Sequence, residues 1–197
     1  MTHATQPPPP AASALPPGLG LHRAWLAEGE GAALLAAIDA EAWGGELKRR
    51  VQHYGFRYDY KRRGVSAAER LGPLPPWAAR LAARLAAEGV FGREPDQVIV
   101  NEYQPGQGIA PHIDAPAFGP VVASLSLGSA CAMGFEGPGG EALSLWLEPG
   151  SLLVLSGEAR SAWRHGIAQR RSDVVEGERR PRGRRVSLTF RTVIARG

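Results

Sequence analysis

From Gln97 onward the chain is a succession of short runs rich in β-branched and large apolar residues, each closed by Gly, Pro or polar residues. They are QVIVNEY, VVASLSLG, ALSLWLEPG, SLLVLSG and RVSLTFRTV. So many short strands at close spacing argue for a β-sandwich or jelly roll and against alternating parallel β/α units. LEPGS, between two apolar runs, reads as a tight turn.

Helices belong to the first half. EGAALLAAIDAEAW, from Glu30 to Trp43, spaces Leu34, Leu35, Ile38 and Trp43 as an amphipathic helix does. PPWAARLAARLAAEG, from Pro75 to Gly89, has Pro76 for a start, Leu81 and Leu85 on one face, and Gly89 for a stop. Between them RRVQHYGFRYDYKRRG alternates aromatic and polar residues and reads as one or two strands or an ordered loop. The opening MTHATQPPPPAASALPPGLG reads as a disordered Pro/Ala-rich arm over residues 1–19, with residues 20–197 as a single domain. The expected class is therefore mainly β with flanking helices.

No apolar run approaches the roughly 20 residues of a membrane span, and the N-terminus lacks the basic-then-apolar order of a secretory signal. The one cysteine, Cys131, has no partner for a disulfide, which fits a reducing, cytoplasmic setting. A monomer with no membrane partner is expected. The formal charge of +4 favours an anionic partner such as nucleic acid. Nine arginines lie from Arg164 to Arg191, five of them between Arg179 and Arg185, as a solvated basic loop or as phosphate contacts.

Residues two apart on a strand face the same way. On QVIVNEY, Ile99, Asn101 and Tyr103 share one face and Val98 and Val100 the other. On RVSLTFR, Arg185, Ser187, Thr189 and Arg191 oppose Val186, Leu188 and Phe190. That polar face either meets solvent or lines a wet cavity that takes an anion, because unpaired arginines are costly to bury. His112 and Asp114 converge in the same way, and a downstream histidine, His165 in WRHGI, completes a two-His, one-carboxylate set. Such a set suits non-haem Fe(II) with open positions for other ligands. Zinc hydrolysis also uses a His/Asp/His site, but it leaves Asn101, Tyr103 and the arginine pair without a task.

In this order, N-x-Y (Asn101, Tyr103), H-x-D (His112, Asp114), a distal His (His165) and R-x5-R (Arg185, Arg191) resemble the AlkB family of Fe(II)- and 2-oxoglutarate-dependent dioxygenases. The likeness runs over about residues 48–193. It implies a double-stranded β-helix, a cupin-like jelly roll with the metal inside. It also implies that His112, Asp114 and His165 are metal ligands and catalytic, and that Arg185, assisted by Tyr103, grips the distal carboxylate of 2-oxoglutarate. Asn101 and Arg191 would act near the metal-bound end. The implied cofactors are Fe(2+), 2-oxoglutarate and O2.

The implied reaction couples decarboxylation of 2-oxoglutarate to oxidation of a substrate C–H bond. For the family's repair members this is oxidative demethylation of alkylated bases in DNA or RNA. Alternatives are hydroxylation of a modified tRNA base, demethylation or hydroxylation of a protein side chain, and a non-catalytic cupin-like binding module. HYGFRYDY occupies the place of the family's nucleotide lid, making Tyr54, Phe56 and Tyr58 substrate candidates, with Arg160 added from GEARSAWRHGI. Two positions depart from the pattern. Pro116 stands where the bacterial repair enzyme has a base-reading acid, and Ser187 replaces an asparagine of the last motif. The texture is nearer to the oxygenase domain of members that hydroxylate a wobble uridine in tRNA.

Overall fold

The computed structural model describes residues 15–27, 29–45, 47–62 and 64–194. Its elements in the first half are β1 (Leu19–His22), α1 (Glu30–Asp39), β2 (Val51–Tyr54), α2 (Pro76–Ala87) and β3 (Gln97–Tyr103). There follow β4 (Ile109–His112), β5 (Phe118–Gly128), β6 (Cys131–Glu136), β7 (Ala142–Leu147) and β8 (Leu152–Leu155). The chain then forms α3 (Gly157–Ser161), β9 (Arg164–Ile167), β10 (Ser172–Val175), β11 (Glu178–Pro181) and β12 (Arg185–Val193). Six strands form a major sheet in the order β1-β8-β5-β12-β3-β2, and four form a minor sheet in the order β4-β9-β6-β7. Every strand pair is antiparallel, the sandwich expected of these short runs.

Alternation along β12 divides the molecule into two cores. Val186, Leu188 and Phe190 are fully buried under α1 and α2, in one cluster with Leu34, Ile38, Trp77 and Leu85. Each such side chain contributes about 1.5–3 kcal/mol by leaving water. The opposite face of the major sheet meets the minor sheet, where Val122, Met133, Phe135, Leu153, Leu155 and Ile167 form the second cluster. The polar face of β12 is therefore not solvent-exposed. All nine of its residues are buried, and Arg185 to Arg191 look into the space between the sheets.

The helices stop where the chain chemistry stops them. α2 begins at Pro76 and ends in a Schellman turn, with Gly89 in the left-handed region (φ 74°) and Val90 N–H donating to Leu85 O. α1 ends at Asp39, four residues before Trp43, which instead packs its ring under the Arg50 guanidinium at 4.8 Å. The expected arm also ends early. Leu19 already pairs with Leu155 in the edge strand, and Pro17 O accepts from Ala159 N–H, so the fold holds the chain from at least Pro17, while 1–14 lie outside the described residues. No helix among the described residues is long and apolar enough to cross a membrane.

Candidate metal centre

β4 and β9 are neighbours, and their register puts His112 directly opposite His165, with ring centroids 4.5 Å apart. Asp114, two residues past His112, returns to the same side, so one ligand atom from each of the three lies within 4.8 Å of the others. His112 Nδ1 lies 2.9 Å from Ala110 O; a carbonyl only accepts, so Nδ1 donates there and Nε2 is the nitrogen left to face the triad. Burial pulls the His165 pKa down to about 4, against the pull of Asp114 the other way, which favours the neutral ring.

Asp114 is held from two directions. Its Oδ1 accepts from Arg191 Nε at 2.8 Å, while Oδ2 is buried without a donor, 3.4 Å from His165 Nε2. Burial pushes the Asp114 carboxyl up, but Arg191 and then His165 and His112 bring it down to about 2. Two imidazole nitrogens and a carboxylate oxygen that lacks a donor thus face one another, all within 4.8 Å. Such a cluster of acceptors is costly unless a cation joins it, so the residues fit a divalent metal such as Fe(II).

Next to the triad, a cavity of about 60 Å³ runs between the sheets, and Asn101, Tyr103, Arg185, Ser187, Thr189 and Arg191 line it with apolar residues of β5, β6 and β8. Arg185 is 3% exposed; it donates to Ser126 Oγ at 2.9 Å, but its Nε and Nη1 are buried with no partner. It forms no ion pair with a described acid, and its guanidinium carbon lies 5.6 Å from the Tyr103 ring centre. Burial pushes the Tyr103 phenol above its usual range, keeping it a neutral donor. This pocket could hold the distal carboxylate of 2-oxoglutarate, whose other end would reach the triad.

A second cavity, about 230 Å³, opens in front of His112 and Asp114. Tyr58, Tyr60 and Phe118 wall it, Tyr58 lying over Phe118 with centroids 5.8 Å apart and planes at 28°. Of the four substrate candidates, only Tyr58 lines this space. Tyr54 pairs in register with Val98, a core-facing residue, and so packs edge-on against Trp77 at 5.3 Å with its hydroxyl donating to Gln52. Phe56 lines a separate groove beside Arg70, Asp96 and Val193. Between them Gly55 (φ 75°) passes so near Asp96 O that a Cβ would stand 1.8 Å from it, which ends β2 and redirects the chain.

Arg160 is buried, and its guanidinium donates to Asp114 O (3.0 Å), Ala115 O (2.9 Å) and Phe118 O (3.4 Å). It braces the backbone that carries the carboxylate and is not among the residues that line the cavity in front of the triad. Sequence reading also passed over Arg49, Phe118 and Ser126. Arg49 stands two residues before Val51, the partner of Asn101 in β2, but that register is invisible until the strands pair.

The late arginines divide into two groups. Arg182 is buried against Asp173, and Arg184 pairs with Asp39 and Glu102, so both are structural. Arg179 and Arg180 are exposed on the β10–β11 hairpin, with Arg164 and Arg171 exposed nearby in sequence.

The sequence family described as the 2OG-Fe(II) oxygenase superfamily matches residues 42–191. The chain is 39% identical over 202 residues to the Arabidopsis thaliana alkylated DNA repair protein ALKBH8 homolog, covering 90% of this chain and 58% of that one. It is 36% identical over 168 residues to tRNA (carboxymethyluridine(34)-5-O)-methyltransferase alkbh8 of Xenopus tropicalis, covering 82% and 27%. It is 33% identical over 172 residues to the Danio rerio probable RNA/DNA demethylase ALKBH6, covering 74% and 71%. The chain thus spans less than two thirds of the length of the first two relatives. The solved structure of OsALKBH1 shares the fold, with a TM-score of 0.66 at 19% identity over 91% of this chain and 99% of that one.

Proposed function

Because the chain belongs to the 2OG-Fe(II) oxygenase superfamily, and within it to the AlkB family, we propose that it oxidises a C–H bond of an alkylated or otherwise modified base in DNA or RNA. The family's cofactors are Fe(2+), 2-oxoglutarate and O2; when bound they convert 2-oxoglutarate to succinate and CO2 and deliver one oxygen atom to the substrate carbon. An oxidised N-methyl group then leaves as formaldehyde, whereas a C-linked carbon retains its hydroxyl.

In this reading His112, Asp114 and His165 hold the iron. Arg185 grips the distal carboxylate through the two N–H groups the fold leaves unpaired, and Tyr103 closes the pocket beside it. Arg191 orients Asp114, and Arg160 braces its backbone. Asn101 stands between the two cavities, where it borders both cosubstrate and substrate. Tyr58, Tyr60 and Phe118 offer aromatic surface against which a base can stack. The observation that carries the reading is the acceptor cluster at the triad beside an arginine with unpaired donors. A cytoplasmic monomer suits it: Cys131 is buried and free, as in a reducing compartment.

Nucleosides from tRNA and DNA, digested after incubation with the iron-loaded protein and with its Asp114→Ala variant, provide the test. Mass spectrometry should show a modified nucleoside altered only by the wild type. Formaldehyde separates demethylation from hydroxylation of a modified tRNA base, the second reading; one relative is named as a tRNA-modifying enzyme. Turnover of methylated peptides and of no nucleic acid would contradict the proposal.

A further inference from the structure

The cavity in front of the triad contains one cation that the fold does not neutralise. Arg49 lies just before β2, and its Nε donates to Asn101 Oδ1 at 2.9 Å while its guanidinium carbon stands 5.8 Å from the Tyr103 ring centre. Beyond these contacts, among the described residues, its Nη groups have no hydrogen-bond partner and no carboxylate pairs with it. The other arginine lining the cavity is engaged: Arg191 binds Asp114 and Gln97 and lies over Phe118 at 4.6 Å. Asp114 is also the only acid among the lining residues, and it turns toward Arg191 and the histidines.

Position gives Arg49 its meaning. Asn101 is 8% exposed and borders both cavities, so a guanidinium bonded to it lines the same cavity as His112 and Asp114. Beside aromatic walls it is partly desolvated, and a planar fork of donors in such a place favours an oxyanion over a neutral acceptor. The cosubstrate does not need it for its distal end, because Arg185 fills that role.

We propose that Arg49 is a specificity-determining residue that binds an anionic oxygen group carried by the substrate beside the carbon to be oxidised. The inference rests on the oxygenase reading of the site. The oxyanion has two possible sources, a carboxylate substituent on the base or a phosphate of the nucleotide chain.

The experiment uses the whole chain loaded with Mn(II) and 2-oxoglutarate, which prevents turnover. The probes are a short RNA containing 5-carboxymethyluridine, its neutral carboxamide counterpart, and the two corresponding free nucleosides. If the anion is on the base, the wild type binds acid roughly tenfold or more tighter than amide, in RNA and nucleoside alike. Arg49→Gln brings that ratio near one, and Arg49→Lys retains part of it. If the anion is a phosphate, acid and amide bind equally, and Arg49→Gln instead erases the preference for RNA over nucleoside.

The inference is overturned if Arg49→Gln leaves both ratios unchanged, or if the wild type binds none of the probes. It is also overturned if the variant weakens all probes alike while raising the 2-oxoglutarate Kd, because Arg49 would then serve the cosubstrate. Failure of the oxygenase reading itself looks different: the wild type would show no metal-dependent binding of 2-oxoglutarate. A thermal melt of each variant shows whether it folds.

Discussion

At one end of β12 the Arg191 guanidinium is fully engaged, with Nε on Asp114, Nη1 on Gln97 at 3.3 Å and its flat face over Phe118. At the other end Arg185 leaves the same face of the same strand, as deeply buried, with one bond to Ser126 and two donors unpaired. Both side chains bear the same charge in the same water-poor space, so the difference lies in what the fold supplies to them. Arg191 is a positioning group whose partner is the chain itself. Arg185 has donors that the fold leaves unpaired, at a cost in stability that the proposed cosubstrate carboxylate would offset.

The strongest way to break the satisfied end is Asp114→Ala. Iron binding should vanish and succinate formation should fall below detection. Arg191 is then buried without its acid, so urea denaturation should show a loss of about 3 kcal/mol. Undiminished turnover would remove Asp114 from the ligand set.

Exchanging the two arginines for methionine sharpens the contrast. Arg185→Met should raise the KM for 2-oxoglutarate by roughly a hundredfold, while the ligand-free protein stays as stable or gains about 1 kcal/mol. Arg191→Met should do the reverse, lowering ligand-free stability and iron affinity more than cosubstrate affinity. Equal melting temperatures for the two variants would erase the distinction. Arg160→Met should have a smaller effect, weakening iron roughly tenfold with little change in the 2-oxoglutarate KM; calorimetric metal titration would read it.

The smallest effect lies away from the site. Arg50, against the opposing effect of burial and with help from Arg184, holds the Glu102 carboxyl at about 2, below its ordinary 4.5. A folded pKa below the unfolded one means stability that is whole above pH about 4.5 and is lost as pH falls toward 2. Chemical denaturation at pH 6 and at pH 3 should show Glu102→Gln costing about 1–2 kcal/mol at the higher pH and less at the lower.

The same comparison explains what could be read from the chain alone. Asn101, Tyr103, His112, Asp114, Arg185 and Arg191 were legible because strand alternation gives each a side, and because the sequence order matches one chemistry. The pairing of β4 with β9, which turns H-x-D and a histidine 51 residues beyond Asp114 into one centre, is a matter of register and appears only in the fold. Tyr54 turns to the helix side for that reason, as its partner Val98 does. Arg160 bonds backbone carbonyls, which no side-chain motif records. The basic run reads as uniform, yet Arg182 is buried against Asp173 of β10 and Arg184 reaches Asp39 and Glu102, while Arg180 has only the exposed Glu178 beside it and Arg179 has no acid among the described residues.

Anaerobic titration of 2-oxoglutarate into the Fe(II)-loaded chain, followed by absorbance, tests the central claim most directly. Binding should be saturable, should require Fe(II), should disappear in Asp114→Ala and should weaken roughly a hundredfold in Arg185→Met. Binding of equal strength without iron, or in the Arg185 variant, would contradict that claim.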